Sequence, residues 1–559
     1  MAKRTSQWYK DLSVYQIWPR SFCDGNGDGI GDLEGVLGKL DYIKSLGVDA
    51  IWFSPLYPSP NADYGYDIAD YTDISSEYGT LELFKKVLDE AHKRGLKIIM
   101  DLVINHTSDH HKWFLESKKG PDNPYHDYYI WRKGRNGGKK PPNNWLSTFQ
   151  GGAWEYVPEI DEYYLHVFAK GQPDLNMDNP KVREEVKKII RFWLDLGVDG
   201  FREDVITFIS KKEGLPNGFP LPTATGIEHY MNGPHLREYL EEFRAVQMEY
   251  DCFTVGEAPM MTPKRALKFI KEDENPVLDM MFHFQHMNAD NIMTNFIRTP
   301  FRPGYLKKVY NNWQTKLYGK AWNALYVENH DQPRVISRYG SEKYRVESGK
   351  MLATMYICQS GTPFIYQGQE IGMTNIHLDS IDRFPDVSSV NTYALMKSLH
   401  LPEKFIMSLI NYGARDNGRT PVQWSGAKNA GFTTADKPWF EVNPNYPEIN
   451  VEAAEADPNS ILHFYRKLLK FRKENEIVRY GDFRMLKTDR KLFAYIRRYQ
   501  GQKLLVVCSF AEQEMNFRLP ESEFDMSKAE LVLSNYDFNQ VIHNGFFTRP
   551  YETRVYLLK

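Results

Sequence analysis

The stretch "LDLGVDGFRE", residues 194–203, reads as the end of an amphipathic helix, a glycine stop, and a short apolar strand running into polar residues. Gly197 stands where the last helical turn must reverse, a left-handed position that glycine adopts without steric cost. The same grammar recurs in "KSLGVDAIWF" (44–53) and "HKRGLKIIMD" (92–101), with Gly47 and Gly95 in the capping place. Further strand-like runs lie at residues 251–258, 276–284, 322–331 and 362–369, each beside a helical pattern, and residues 14–18 bring the count to eight. Eight strands alternating with helices predict an α/β fold, a closed parallel (β/α)8 TIM barrel, with its functional residues at the C-terminal ends of the strands.

Residues 107–174 are rich in Trp, Tyr, Asn, Gly and Pro and too long for an ordinary connection. They are expected to form a small domain inserted after strand 3, above the barrel mouth. The barrel then comprises residues 1–106 and 175–478, with a second irregular stretch at about 374–455 lining the entrance. From residue 479 the pattern changes to alternating strands, "KLFAYIRRY", "KLLVVCSF" and "TRVYLLK", which predict a C-terminal antiparallel β domain over 479–559.

A chain of 559 residues with a formal charge of -3 and no like-charge tail argues against nucleic-acid binding. No run reaches the roughly 18 to 20 apolar residues of a membrane span, and the N-terminus lacks the pattern of an export signal. Four scattered cysteines without CxxC spacing argue against a disulfide framework or thiolate metal site. The expectation is a cytoplasmic protein, a monomer or small homo-oligomer, without nucleic-acid or membrane partners. Aromatic content of 14% serves mainly the core, with some rings left to grip sugar faces.

Successive side chains on a strand face opposite sides, so in "GFRED" (200–204) Arg202 and Asp204 share one face, Phe201 and Glu203 the other. The polar pair belongs inside the barrel mouth, and Phe201 under the helices. Arg202 is expected to keep Asp204 ionised, as a nucleophile requires. Glu257 ends the next strand in the apolar "FTVGEAPMM" with no cation beside it in sequence, a setting for a general acid. Two carboxylates in opposed environments are what glycosidic bond cleavage needs. Asp331 beside His330, and His106 ending strand 3, add negative charge for an oxocarbenium ion and partners for sugar hydroxyls. No HExxH motif points to metal-assisted hydrolysis.

"DLVINH" (101–106), "GFREDV" (200–205), "VGEA" (255–258) and "ENHD" (328–331), flanked by "QPDLN" (172–176) and "GDGIGDLEG" (27–35), resemble the signature blocks of the α-amylase superfamily, glycoside hydrolase family 13. The resemblance covers essentially the whole chain and is nearest to the oligo-1,6-glucosidase, dextran glucosidase and α-glucosidase group. It implies Asp204 as nucleophile, Glu257 as acid/base and Asp331 as transition-state stabiliser, with retention at the anomeric carbon. It further implies that Asp63, Tyr66, His106, Phe168, Gln172, Arg202, His330 and Arg415 hold the terminal nonreducing glucose, and that no organic cofactor is needed. Val205 occupies the place where valine accompanies α-1,6 preference. The implied activity is exo-hydrolysis of short oligosaccharides such as isomaltose, with α-1,4 links as the second linkage. Glu203, Gln285, Glu328 and Ser388 depart from the usual residues of that group and bear on linkage and leaving-sugar preference.

In "CDGNGDGIGDLEG" (23–35), Asp24, Asn26, Asp28, the Ile30 carbonyl and Asp32 resemble a calcium loop lacking the twelfth-position glutamate. A structural Ca2+ or Mg2+ is expected there; the competing reading is a turn held by its own side chains. Rival functions are sucrose isomerisation or transglucosylation and trehalose-6-phosphate hydrolysis on the same scaffold. A noncatalytic transporter partner is disfavoured because all three acids are present and a membrane span is not. Glu203 is expected to face outward and to be paired or to reach solvent.

Overall fold

The computed structural model describes residues 7–221, 224–292, 294–537 and 540–559. Eight parallel strands, numbered here β1 (Val14–Ile17), β2 (Ala50–Phe53), β3 (Lys97–Leu102), β4 (Gly200–Glu203), β5 (Phe253–Glu257), β6 (Met280–Phe282), β7 (Ala324–Leu325) and β8 (Thr362–Tyr366), form the central sheet. Hydrogen-bonded neighbours run β7-β8-β1-β2-β3-β4-β5-β6, so the order is cyclic, and β6 lies against β7 at the seam. This is the nearly closed TIM barrel that the helix–glycine–strand grammar requires. Gly47, Gly95 and Gly197 all have positive φ (91°, 66° and 103°), the left-handed turn that lets each helix fold back onto its strand.

Helix starts are set by side-chain caps. Thr80 accepts from Leu83 N ahead of Leu81–Lys93, and Asn179 accepts from Lys181 N ahead of Pro180–Asp195, where Pro180 takes a first-turn position that needs no N–H. Helix Pro180–Asp195 buries Val182, Val186, Ile189, Ile190 and Trp193 against the barrel.

Strand parity divides the core. Val14, Ala50, Trp52, Ile99, Phe253, Val255, Met280, Phe282 and Phe364 form one buried cluster inside the barrel. Tyr15, Ile51, Phe53, Ile98, Met100, Phe201 and Ile365, their sequence neighbours, join the larger cluster between barrel and helices. Phe201 therefore faces outward, and Arg202, paired in register with Asp101 and Val255, faces inward.

Within residues 107–174, Trp131–Arg132, Glu162–Leu165 and Trp154–Val157 form a three-stranded antiparallel sheet with Glu162–Leu165 in the centre. Its Trp145, Trp154 and Leu165 pack with Val205, Phe208 and Tyr230 from the segment after β4, which seats it over the barrel mouth. The stretch after β8 is more ordered than its sequence suggests. It contains helices Val387–Ser398 and Glu403–Gly413. The first buries only Ser389 and Thr392, so it carries no apolar stripe by which a sequence could reveal it.

The C-terminal strands Arg484–Met485, Leu492–Tyr499, Gln502–Ser509, Thr553–Leu558 and Glu530–Ser534 form a five-stranded antiparallel sheet in that spatial order. Tyr495, Leu504, Val506, Val555 and Leu557 share the outer barrel cluster, so this sheet and the barrel have one continuous core. One buried arginine fastens the junction through carbonyls, and a second braces the barrel side of it. Arg497 donates to the carbonyls of Cys358 (2.7 Å), Val478 (3.0 Å) and Gly481 (2.6 Å); Arg472 donates to those of Ile357 (2.8 Å), Gln359 (3.0 Å) and Gly361. All four cysteines are buried, and no two of them form a disulfide with each other. Among the described residues, no helix is long and apolar enough to cross a membrane.

Candidate active site

The polar residues gather at the C-terminal ends of the strands around one guanidinium. Arg202 Nη1 donates to Asp204 Oδ1 at 2.7 Å and to Asp101 Oδ1 at 2.8 Å, while Nη2 reaches Glu257 Oε2. β3, β4 and β5 each deliver one carboxylate to it, because Asp101, Arg202 and the inward residues of β5 lie level in the sheet. Three carboxylates against one cation leave an excess of negative charge in a buried place. The Asp204 carboxyl is consequently pushed well above the usual carboxylate range, by burial first and then by Glu257 and Asp101, with Arg202 opposing. Asp101 is likewise pushed up to about 6, by burial and then Glu257, against Arg202. This corrects the expectation that Arg202 simply holds Asp204 ionised: its charge is shared among three carboxylates, so it does not offset the burial of Asp204.

Val205 follows with φ 34° and ψ 41°, a left-handed conformation that costs a β-branched residue about 1–3 kcal/mol. That turn aims the Val205 N–H at Glu257 Oε2, 3.2 Å away. One oxygen of Glu257 is thus held by both Arg202 and the Val205 amide.

His330, after β7, stacks between Trp18 and Tyr66 with ring centroids 5.2 and 5.3 Å away. Gln16 Nε2 donates to its Nδ1 at 2.8 Å, which leaves the proton on Nε2, facing Tyr66 Oη at 2.7 Å and Asp331 Oδ2 at 3.1 Å. Burial keeps this imidazole neutral by lowering its pKa. Asp331 Oδ1 accepts from Arg415 Nη1 and Arg419 Nη2, each at 3.0 Å. Burial pushes its carboxyl up, but His330, Arg415 and Arg419 overcome this and hold it well below the usual range. Asp331 is therefore the firmly ionised acid of the site.

Arg415 Nη2 also donates to Asp63 Oδ1 at 3.0 Å, a bridge across the site from the loop after β2 to the segment after β8. Burial pushes Asp63 up to about 6 despite Arg415 and Arg419. Gln172 Nε2 lies 3.3 Å from Asp63 Oδ2 and 3.1 Å from His106 Nε2. Phe168 packs on the His106 ring, centroids 5.2 Å apart, and burial lowers the His106 pKa to about 4. All the residues expected to carry catalysis or hold glucose therefore lie in one connected network. Sequence reading missed Asp101, Arg419 and Asp386. Asp101 opens the quoted "DLVINH" and Arg419 lies four residues after Arg415, whereas buried Asp386 Oδ2, 2.7 Å from Arg415 and 2.5 Å from Arg419, lies where no pattern marks it.

The departing residues have other partners. Glu203 faces outward, 1% exposed, accepting from Gln247 Nε2 at 2.8 Å through Oε1, while Oε2 has no hydrogen bond. It is paired and does not reach solvent. Gln285 accepts from Trp313 Nε1 at 2.9 Å, Glu328 pairs with Arg334 at 3.1 Å, and the Ser388 N–H is capped by Asp386 at 2.8 Å.

In the loop at residues 23–35, Asp24 accepts from Gly27 N and Gly29 N at 2.6 and 2.7 Å, and Asp28 from Ile30 N at 2.8 Å. Asp32 accepts from Gly25, Asn26 and Gly35 N–H groups and caps helix Leu33–Ser45, and Asn26 Oδ1 accepts from Asp28 N at 2.9 Å. Among the described residues, no three Asp, Glu, His or Cys side chains converge as a ready metal cluster. Each Asp32 oxygen accepts from two amides, and Asp24 Oδ2 also accepts from Thr433 Oγ1, so Asp24 Oδ1, Asn26 Oδ1 and the Asp28 carboxylate keep the spare lone pairs; oxygens of this kind suit a hard divalent cation.

Residues 16–481 match the family described as alpha amylase, catalytic domain, and residues 483–554 match maltogenic amylase, C-terminal domain. The oligo-1,6-glucosidase of Parageobacillus thermoglucosidasius is 50% identical over 561 residues, covering 99% of each chain. The crystal structure of a Bacillus licheniformis trehalose-6-phosphate hydrolase mutant superposes with a TM-score of 0.94 at 44% identity, over 99% of this chain and 100% of that one. Isomaltulose synthase from Klebsiella sp. LX3 gives a TM-score of 0.94 at 38% identity with the same coverage. With the barrel, the acid network and the full-length match together, this chain belongs to the α-amylase family, glycoside hydrolase family 13.

Proposed function

We propose that this protein is a retaining exo-α-glucosidase that releases terminal α-1,6-linked glucose from short oligosaccharides such as isomaltose. The observation that carries the reading is the Arg202-centred pair Asp204 and Glu257 beside the bridge Asp63–Arg415–Asp331. That bridge walls one side of the site, which suits a chain end rather than a chain interior. The 50% identical oligo-1,6-glucosidase relative, matched over 99% of both chains, supports the same reading.

In the proposed reaction an Asp204 oxygen bonds to the anomeric carbon as the glycosidic C–O bond breaks. Glu257 gives its proton to the departing oxygen. The Asp331 carboxylate stands against the positive charge spread over the ring, and Asp63, Gln172, His106 and His330 take the sugar hydroxyls. Water then attacks the glucosyl ester, returns its proton to Glu257 and frees Asp204.

The same reading takes the loop donors Asp24, Asn26, Asp28, Ile30 O and Asp32 as a structural Ca2+ or Mg2+ site. Four buried cysteines that form no disulfide with one another support a cytoplasmic location, with the enzyme a monomer or small homo-oligomer.

The test is incubation of the purified protein with isomaltose, maltose, sucrose, isomaltulose and trehalose 6-phosphate, with products separated by chromatography. Isomaltose should yield glucose fastest, released as the α-anomer. Cleavage of maltose without isomaltose would remove the linkage assignment. Conversion of sucrose to an isomeric disaccharide, or preferred cleavage of trehalose 6-phosphate, would replace the proposed activity.

A further inference from the structure

Asp386 lies outside every strand, at the head of helix Val387–Ser398, and is fully buried. Its Oδ2 forms an ion pair with Arg415 Nη2 at 2.7 Å and accepts from Arg419 Nη1 at 2.5 Å. The same two guanidinium groups turn their other nitrogens to Asp331 Oδ1, each at 3.0 Å. Two carboxylates and two guanidinium groups thus alternate around a closed ring. A guanidinium is a rigid planar fork, so an acceptor that fixes one edge fixes where the other edge points.

The second oxygen of Asp386 serves the helix. Oδ1 accepts from Ser388 N at 2.8 Å, and Asp416, which accepts from Asp386 N at 3.0 Å, also accepts from Ser389 Oγ at 2.7 Å. Farther along the same helix, Asn391 Nδ2 donates to Phe149 O of the inserted sheet region at 2.9 Å. The Phe149 ring lies 4.9 Å from the Arg415 guanidinium. The helix is therefore tied to the site at its first turn and again through the inserted region.

We propose that Asp386 is a positioning residue: through Arg415 and Arg419 it fixes the Asp331 carboxylate against the charge that develops on the glucosyl ring, and through its cap it couples that placement to helix Val387–Ser398. The side chain does not touch sugar in this scheme. It acts by aligning two cations whose free edges aim Asp331, and misalignment of a charge at a reacting centre costs orders of magnitude in rate. The inference rests on Asp331 being the transition-state stabiliser.

The test compares Asp386→Asn, Asp386→Glu and Asp331→Asn for isomaltose kinetics and for inhibition by cationic 1-deoxynojirimycin against neutral glucose. Asp386→Asn should lower kcat about 100-fold with KM little changed. It should also weaken deoxynojirimycin about tenfold more than glucose, because only the cation senses where the Asp331 charge points. Asp386→Glu keeps both acceptor oxygens and should show the same selective loss in smaller measure, which serves if the Asn variant does not fold. Equal weakening of both inhibitors, or no change in their ratio, overturns the positioning role while Asp331→Asn still shows the selective loss. If Asp331→Asn itself leaves the ratio unchanged, the assignment of Asp331 fails, and the positioning role with it.

Discussion

Glu203→Gln isolates the second carboxylate of the "RED" sequence from the first. Glu203 is 1% exposed, has one hydrogen bond, from Gln247, and leaves Oε2 without one. Arg244, whose charge acts on Glu203, is committed to Asp279 at 2.7 Å. Burial therefore pushes Glu203 from 4.5 up to about 7, with Gln247 and Arg244 only partly opposing. Between these values the folded protein holds a proton that the unfolded chain has released, so stability falls as pH rises through the window. The penalty is absent below pH 4.5 and complete above pH 7. A shift of this size, at about 1.4 kcal/mol per pKa unit, amounts to about 3 kcal/mol as an upper bound. Glutamine keeps the shape and cannot ionise, so it removes the penalty. Urea unfolding at a series of pH values should show the variant and parent nearly equal near the acid end, with the variant more stable by up to about 3 kcal/mol above neutrality. Because Glu203 faces the helix layer, kcat on isomaltose should not change. A stability difference that stays constant with pH, or a less stable variant at alkaline pH, would refute the account of Glu203 as a buried, under-partnered acid.

Asp204→Asn should reduce isomaltose turnover by at least about four orders of magnitude while the protein still binds glucose; turnover near the parental rate would remove the nucleophile assignment. Glu257→Gln should be far more harmful with isomaltose than with 2,4-dinitrophenyl α-glucoside, whose leaving group needs no proton, and equal losses would argue against an acid role. Arg202→Met leaves three buried carboxylates without their cation and should cost about 3–5 kcal/mol in urea unfolding, together with activity. Dialysis against EDTA should lower the Tm, and Ca2+ should restore it in the parent but not in Asp28→Ala; an unchanged Tm in both would leave the loop as a self-held turn.

The fold was legible because three helix–glycine–strand junctions repeat, and each glycine is required by a left-handed turn. Side-chain parity in "GFRED" separated Asp204 from Glu203 correctly, since a four-residue strand fixes facing without knowledge of its neighbours. Charge state was not legible in the same way. Sequence adjacency assigns Arg202 to Asp204 alone, whereas sheet register brings Asp101 and Glu257 to the same guanidinium. Asp101 could have been found by aligning the strand ends of "DLVINH" and "GFREDV". Asp386 could not, because its partners are 29 and 33 positions away in a segment without periodicity. Helix Val387–Ser398 was hidden for a related reason: its stability comes from caps and polar ties rather than from an apolar face.

The carbonyl-held arginines at the barrel's far edge bear on how this enzyme could be remodelled. The two matched regions, 16–481 and 483–554, meet in sequence as if they were interchangeable modules. Arg497 belongs to the second region yet donates to Cys358 and Val478 in the first, and Tyr495, Val506 and Leu557 complete a core that begins under the barrel helices. A shortened gene that ends at the boundary would expose that apolar surface and withdraw an arginine from its carbonyls. A chimera built by exchanging C-terminal sheets between relatives would have to carry the whole seam with it. The catalytic barrel and the terminal sheet thus share one core, and an exchange at the apparent domain border should cost more stability than one in the loops above the strands.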